Sequence, residues 1–377
     1  MIYILVLLII LVLSFRFELK TIKPSRRALL FVFFILVIVA GFRYRVGSDT
    51  LIYMDEYETR FSIIKDKYLV GWYWFMSLCK YLNLSFYVVQ IIIALIINAG
   101  VFHFFKRYFP QYLFSGILLY YVTLYPGWNF EVLRQAICVS LFFYSLQFLE
   151  AKKYFKYYLI VLIACTIHET SLLLLFVPIV MRIPISKKLL MVFASLFVIV
   201  VLFAPYIQNV VMDYALILAP FQDKAAYYFR DVDTDASNSL FNYIFNIILN
   251  VGIPLFVIWR NCQLKYINNT VVSLVVMSFF TYALSLMLPM MYRLNYFFLL
   301  PNLMMFVYLF ENLAKKTLNR RFIYFSLLIL FLVFKARAYF VVDKGGTPVY
   351  VHYYPYYSIL NEQCVPAREN IDFNASF

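Results

Sequence analysis

The chain has 377 residues, 64% of them hydrophobic and 14% charged, which excludes an ordinary soluble domain. In so apolar a chain a net charge of +14 reads as basic loops held on the cytoplasmic side, not as a nucleic-acid surface. Cys79, Cys138, Cys165, Cys262 and Cys364 form no CxxC pair, so neither a disulfide framework nor a zinc site is indicated.

Apolar runs near or above the ~18 residues needed to cross a bilayer recur from end to end. None shows the ~10-residue alternation of an outer-membrane barrel. The pattern predicts an all-α, polytopic integral membrane protein: a single transmembrane domain over residues 1–377, with about ten to twelve spans at ~20 residues each. Residues 43–83, 206–239 and the tail 338–377 fall outside the spans as outer-face loops. Met1 to Phe15 is apolar and lacks the basic start and small-residue cleavage site of a signal peptide. Arg16, Lys20, Lys23, Arg26 and Arg27 follow it and mark a cytoplasmic loop. Ala28 to Phe42 returns outward and delivers Arg43-Tyr44-Arg45-Val46-Gly47-Ser48-Asp49-Thr50 to the outer face. Those charges and hydroxyls are too costly to leave in lipid, so they face water, a cavity or a ligand. Leu69 to Leu82 reads as a short helix, lying in the interface or re-entering. Leu84 to Phe105 spans inward to Lys106 and Arg107. Tyr108 to Tyr125 spans outward until Pro126-Gly127 breaks it. Glu131, Arg134 and Gln135 then open the inward span Leu133 to Leu149, which puts Arg134 at the outer face.

Tyr157 to Val180 resembles one span, yet His168-Glu169-Thr170-Ser171 interrupts it. A single crossing would place Arg182, Lys187 and Lys188 outside and invert every later loop, against the positive-inside bias. A broken or re-entrant passage near 157–181 restores the parity, as irregular backbone at depth does where it lines a wet cavity. Leu189 to Pro205 then runs outward. The loop Tyr206 to Ser239 carries Asp213, Asp223, Asp231, Asp233 and Asp235 against Lys224 and Arg230. Leu240 to Trp259 goes in, Val271 to Leu288 goes out, and Pro289 to Arg293 turns at the outer face. Tyr296 to Leu313 returns to Lys315, Lys316, Arg320 and Arg321. Phe322 to Phe334 leads out to the tail.

This topology collects Arg43, Arg45, Arg134 and Arg293 near one side of the membrane. Guanidinium forks bind phosphate oxygens bidentately, so the set reads as an anion site. The plainer reading is snorkelling or salt bridging to acidic loops, but the positive-inside rule predicts few arginines there. Asp49 is either a helix cap or ion-pair partner, or a general base or a residue orienting a sugar hydroxyl. His168 beside Glu169 is an ionisable pair inside an apolar span, which is a functional-site candidate. No Walker A, GxGxxG or HExxH run is present, and no ligand set for a metal. No cofactor and no metal are therefore expected.

At these residues the chain resembles a known family. FRYRVGSDTLIYMDEYE, at 42–58, resembles the opening signature of the EpsG-like membrane proteins, a branch of the Wzy-type polysaccharide polymerases. LRQAI at 133–137, IHETS at 167–171, YRLNYF at 292–297 and YYPYYSIL at 353–360 follow in order, so the resemblance covers nearly the whole chain. Glu169 is more acidic than that pattern leads one to expect, which speaks against a catalytic role for its carboxylate.

The resemblance implies a GT-C-like helical bundle that polymerises O-antigen, capsule or exopolysaccharide units. The enzyme would pass a glycan from its undecaprenyl-pyrophosphate carrier to a hydroxyl of a lipid-linked acceptor. It would need no nucleotide sugar and would work at the periplasmic face of a bacterial inner membrane. Arg43, Arg45, Arg134 and Arg293 would hold the pyrophosphate. Asp49 or His168 would take the acceptor proton, with His168 preferred. Tyr53, Trp128, Gln135, Tyr292 and Tyr296 would line the glycan path. The expected partners are lipid-linked oligosaccharides, the bilayer and a chain-length regulator protein. Two other readings stand beside it: a flippase for the lipid-linked unit, and a membrane O-acyltransferase using His168.

Overall fold

The computed structural model of the chain describes residues 2–18, 24–217, 240–264, 266–315, 319–342 and 347–369. The N-terminal part holds α1 (Ile2–Phe17) and α2 (Arg26–Gly41), then three short helices, α3 (Ser48–Glu58), α4 (Phe61–Lys67) and α5 (Val70–Tyr81). The stretch 43–83 is thus mostly helical: α5 matches the short helix expected over Leu69 to Leu82, and α3 and α4 fill the part expected as a loop. Next come α6 (Phe86–Tyr108), α7 (Leu113–Thr123), α8 (Leu133–Glu150) and α9 (Tyr154–Ile167). A 3-10 segment, Glu169–Phe176, leads to α10 (Val177–Val180), and α11 runs from Lys187 to Ile217. α12 (Leu240–Ile247) passes through a π turn, Ile248–Gly252, into α13 (Ile253–Leu264). α14 (Asn269–Met287), a 3-10 segment Pro289–Phe297, α15 (Leu299–Ala314) and α16 (Arg320–Ala336) follow. Among the described residues, β structure is confined to isolated bridges, such as Arg43 with Ser358.

Among the described residues, five helical segments are long and apolar enough to cross a bilayer: Phe86–Tyr108, Lys187–Val211, Tyr243–Cys262, Asn269–Met287 and Arg320–Phe340. A sixth forms if Met291–Phe297 and Leu299–Ala314, bent by 59°, make one broken span. Ile2–Phe17, Tyr154–Ile167 and Glu169–Val180 are apolar but shorter. The protein is all-α and multi-pass. The further crossings counted on the sequence rest on helices below full spanning length.

The chain divides into two units, Met1–Leu175 with Phe310–Phe377, and Phe176–Leu309. In the first, α6 packs on α2 and α8, α8 on α9, α5 on α9, and α7 on α1 and α16. Every residue from Leu113 to Tyr121 of α7 is buried, as expected of a helix that is apolar on all sides. Gly100 sets the spacing of α6 and α8: a Cβ there would lie 2.0 Å from the Ser140 hydroxyl oxygen. Beyond the end of α1, fully buried Glu18 accepts from the Ser115 amide (2.7 Å), the Ser115 hydroxyl and the Ser14 hydroxyl (3.0 Å). The Tyr324 hydroxyl donates to Ser115 Oγ at 2.9 Å, so this carboxylate ties α1 to α7 and α16. In the second unit, α11 packs on α13 and α14, and the segment Pro289–Phe297 packs on α14. Thr281 donates to Asn295 Oδ1 at 3.0 Å across that last junction.

Three local outcomes differ from the sequence reading or sharpen it. Pro205 was expected to end its span, but it lies inside α11, which continues to Ile217. The apolar residues after it keep the chain helical although one amide is lost. The first part of the expected loop 206–239 is therefore helical, and Asp223, Lys224, Arg230, Asp231, Asp233 and Asp235 lie outside the described residues, as do Lys20, Lys23 and Lys316. Pro126-Gly127 was expected to break the helix, and the helix is interrupted there: α7 ends at Thr123, a π turn, Gly127–Glu131, is closed by Val132 N–H to Gly127 O at 3.0 Å, and α8 begins at Leu133. The interruption after Ile167 is present: His168 is extended (φ −148°, ψ 130°), and 3-10 geometry replaces the α-helix after it.

Candidate functional site

Residues 42–47 link α2 to α3. Arg45 (φ 50°) and Gly47 (φ 99°) both take left-handed backbone. Only glycine fits at 47, because a Cβ there would meet the Phe130 carbonyl oxygen at 2.5 Å. The tail docks onto this turn. Tyr44 N–H donates to Tyr357 O (2.8 Å), Gly47 N–H to His352 O (3.0 Å), and Ile359 N–H to Phe42 O (3.0 Å).

Arg43 is fully buried in the turn. Its Nε donates to Val46 O (3.1 Å), Nη1 to Ala40 O, and Nη2 to the Thr50 hydroxyl oxygen (3.2 Å). Its Cζ lies 5.1 Å from the centroid of Phe130. Burial lowers its pKa to about 10, so it remains a cation at neutral pH. Thr50 passes its own hydroxyl proton to carbonyls, with Val46 O at 2.9 Å and Phe130 O at 2.8 Å. Gln90 of α6 donates to Gly41 O (2.8 Å) and Arg43 O (3.0 Å). Arg43 is thus the internal anchor of the turn and presents no fork to a ligand.

Arg45 and Arg134 differ. The Nε of Arg45 donates to Glu369 Oε1 at 2.8 Å; among the described residues its two terminal nitrogens make no hydrogen bond. Burial works against this cation, but the Glu369 bond and charge outweigh it and raise its pKa. Arg134 opens α8, immediately after the π turn. Its Nε reaches the Tyr53 hydroxyl at 3.5 Å, and its Cζ lies 4.2 Å from the Tyr68 ring centroid. Its terminal nitrogens also make no hydrogen bond among the described residues.

Tyr68 donates to Glu56 Oε2 at 2.6 Å, and Lys67 pairs with the same carboxylate. Burial, then the bond to Glu56, pushes the Tyr68 phenol well up. Tyr53 is buried, and its pKa is raised by that burial and by the charges of Asp49 and Glu56, against the pull of Arg134. Asp49, in the first turn of α3, and exposed Glu169 are therefore both within electrostatic reach of the Tyr53–Arg134 pair.

His168 is 4% exposed. Its Nδ1 receives the Thr170 amide at 3.3 Å and meets the Thr170 hydroxyl at 2.9 Å. An amide only donates, so Nδ1 is an acceptor and the neutral ring carries its proton on Nε2. In this geometry His168 offers a proton at Nε2 and has no lone pair there to take one.

Of the aromatic and amide candidates, Trp128 is buried, with its ring 5.8 Å from that of Tyr120 and 6.4 Å from that of Phe143. Gln135 is buried. Arg293, Tyr292 and Tyr296 lie in the second unit, on the segment Pro289–Phe297. There the two tyrosine rings are 6.0 Å apart, and the Arg293 Cζ is 6.0 Å from the Tyr292 centroid. Sequence reasoning missed Tyr68, Phe130 and Glu369; no local pattern ties any of them to its arginine. Among the described residues no three His, Cys, Asp or Glu side chains gather as a metal site.

A cavity of about 290 Å³ lies beside this region, lined in part by Tyr3, Tyr121, Tyr339, Tyr350, Tyr353 and Tyr354. Four of those hydroxyls are engaged elsewhere: Tyr3 to Tyr353 O (3.1 Å), Tyr121 to Tyr3 O (3.0 Å), Tyr339 to Val122 O (2.7 Å) and Tyr353 to Glu131 Oε1 (2.7 Å). The rings therefore turn apolar faces inward, a lining that suits hydrocarbon better than a sugar.

Comparison with known proteins adds one finding. The model of the EpsG family matches residues 26–358. No curated protein and no solved structure gives a match.

Proposed function

The chain belongs to the EpsG family, and on that premise we propose that it is a nucleotide-sugar-independent glycosyltransferase. It would move a glycan from an undecaprenyl-pyrophosphate carrier onto a lipid-linked repeat unit, at the outer face of a bacterial cytoplasmic membrane. Family membership supports a polysaccharide polymerase-type function, and the multi-pass helical frame suits a substrate that travels in lipid. The observation that carries the reading is Arg134: a half-buried guanidinium fixed by Tyr53 and Tyr68, whose terminal nitrogens make no hydrogen bond among the described residues.

In this reading the acceptor hydroxyl oxygen attacks the anomeric carbon of the donor sugar. The bond from that carbon to the pyrophosphate oxygen breaks, and the carrier pyrophosphate leaves with the electron pair. Arg134 and Arg45 stabilise the charge that grows on it. Asp49 takes the acceptor proton. His168, first favoured for that role, instead donates from Nε2. Arg43 holds the turn and does not touch substrate. The tyrosine-walled cavity receives the aliphatic part of a lipid-linked substrate.

The test is deletion of the gene, followed by complementation with Arg134→Ala, Asp49→Asn, His168→Ala and Arg293→Ala, each read as the polysaccharide ladder on a gel. Loss of long chains with single repeats still on the surface is expected for Arg134→Ala. Normal long chains from all four stably expressed variants would overturn the proposal. A deletion that leaves no repeats on the surface would favour the flippase.

A further inference from the structure

Two consecutive residues of the tail grip one residue of the turn from both ends. Arg368 is 1% exposed, and its guanidinium donates to three backbone carbonyls: Arg45 O (Nη1, 2.8 Å), Pro355 O (Nη2, 2.8 Å) and Val351 O (Nε, 3.1 Å). Glu369 accepts from the side chain of Arg45 at 2.8 Å. Residues 368 and 369 lie beyond the stretch that the family comparison covers, which ends at 358.

Arg45 is a residue that needs holding. It is not glycine, yet its φ is 50°. Such backbone persists only where the surroundings fix it. Arg368 fixes it by taking the Arg45 carbonyl while tying together the two tail segments around Val351 and Pro355. Glu369 fixes the other end. A carboxylate on Nε sets the plane of the guanidinium and leaves the edge bearing Nη1 and Nη2 outside that contact. Those nitrogens are the ones without a hydrogen bond among the described residues. Opposed charge on Glu369 also keeps the Arg45 cation from being drained by burial.

We propose that Arg368 and Glu369 are positioning residues: a C-terminal latch that presents the outer edge of Arg45 to a diphosphate. The proposal rests on the reading above, in which Arg45 binds that group. It differs from a merely structural tail, because Arg45 is the endpoint of both contacts. It differs from an autoinhibitory one, because Glu369 sits on the Nε side, and among the described residues no hydrogen bond closes the fork.

The test uses the full-length protein in detergent, with inorganic pyrophosphate as the probe and calorimetry as the readout. Arg368→Ala, Arg368→Lys and Glu369→Gln are each expected to weaken binding by about tenfold, with Arg368→Lys no better than Ala because an ammonium cannot fork to three carbonyls. Arg45→Ala combined with Arg368→Ala should be no weaker than Arg45→Ala alone, since both act through one group. A tail that only supports the fold would lower the melting temperature of Arg368→Ala and leave the affinity of the folded protein unchanged. That result overturns the latch, as does tighter binding in Glu369→Gln. Wild-type protein that binds no pyrophosphate overturns the diphosphate reading itself, and the positioning role with it.

Discussion

Arg134 lies over the face of Tyr68, its Cζ 4.2 Å from the ring centroid, while the Tyr68 hydroxyl is held by Glu56 at 2.6 Å. The carboxylate fixes the ring, and the ring fixes the guanidinium. A flexible cation is thereby aimed before any anion arrives, which is how such groups lower a barrier without reorganising.

Removing that cation should cost at least about 100-fold in polymer formed, the scale of losing one group that stabilises developing charge. Arg134→Lys should recover only part of it, since a lysine neither stacks on Tyr68 nor forks. Tyr68→Phe keeps the stack and loses the Glu56 bond, so it should fall between wild type and Tyr68→Ala. Polysaccharide ladders at matched protein levels check the order.

Asp49 and His168 can be separated by what each replacement keeps. Asp49→Asn should lower product by about 100-fold or more, the size of a lost general base. His168→Gln retains an N–H donor and should stay within about tenfold of wild type, whereas His168→Ala should not. Equal loss in His168→Gln and His168→Ala would return the base role to the histidine.

Arg43 predicts a folding defect and not a catalytic one. Arg43→Ala removes buried hydrogen bonds to Val46 O, Ala40 O and the Thr50 hydroxyl, and although Val46 O and Thr50 keep each other, the cost is about 3 kcal/mol or more. Gly47→Ala should do comparable harm, through the clash with Phe130 and the positive φ. Both should show as lowered melting temperature in detergent.

Glu18 predicts a pH dependence. Burial raises its pKa to about 7 against the hydrogen bonds from Ser115 and Ser14. The folded state therefore holds a proton that the unfolded state gives up near the ordinary carboxyl value of about 4.3. The associated stability is complete below that value and is lost as pH rises through about 7. The loss should be about 3 kcal/mol, and Glu18→Gln should flatten the curve of melting temperature against pH in this window.

The sequence was a good guide to what local composition controls. The apolar runs gave the all-α, multi-pass architecture, and His168-Glu169-Thr170-Ser171 marked its interruption because no periodic apolar face survives there. It was a poor guide to partners far away in the chain. Arg43 and Arg45 stand two residues apart in one polar stretch, yet one is swallowed by backbone carbonyls and the other meets Glu369, 324 positions later. Trp128 resembled a sugar platform until its neighbours Tyr120 and Phe143 enclosed it. Pro126-Gly127 was legible as a disturbance but not as a π turn, because a π turn satisfies its backbone by reaching one residue further and needs no special side chain to announce it.

That wide turn ends at Val132, whose non-helical backbone (φ −79°, ψ 48°) is the joint from which α8 starts. Deleting one residue between Gly127 and Glu131 would remove the room the wide turn needs, move that joint and displace Arg134, two residues beyond it, from Tyr68 and Tyr53. Segment length here is thus as much a determinant of activity as any side chain, and a one-residue deletion that leaves every functional group in place should still silence the protein.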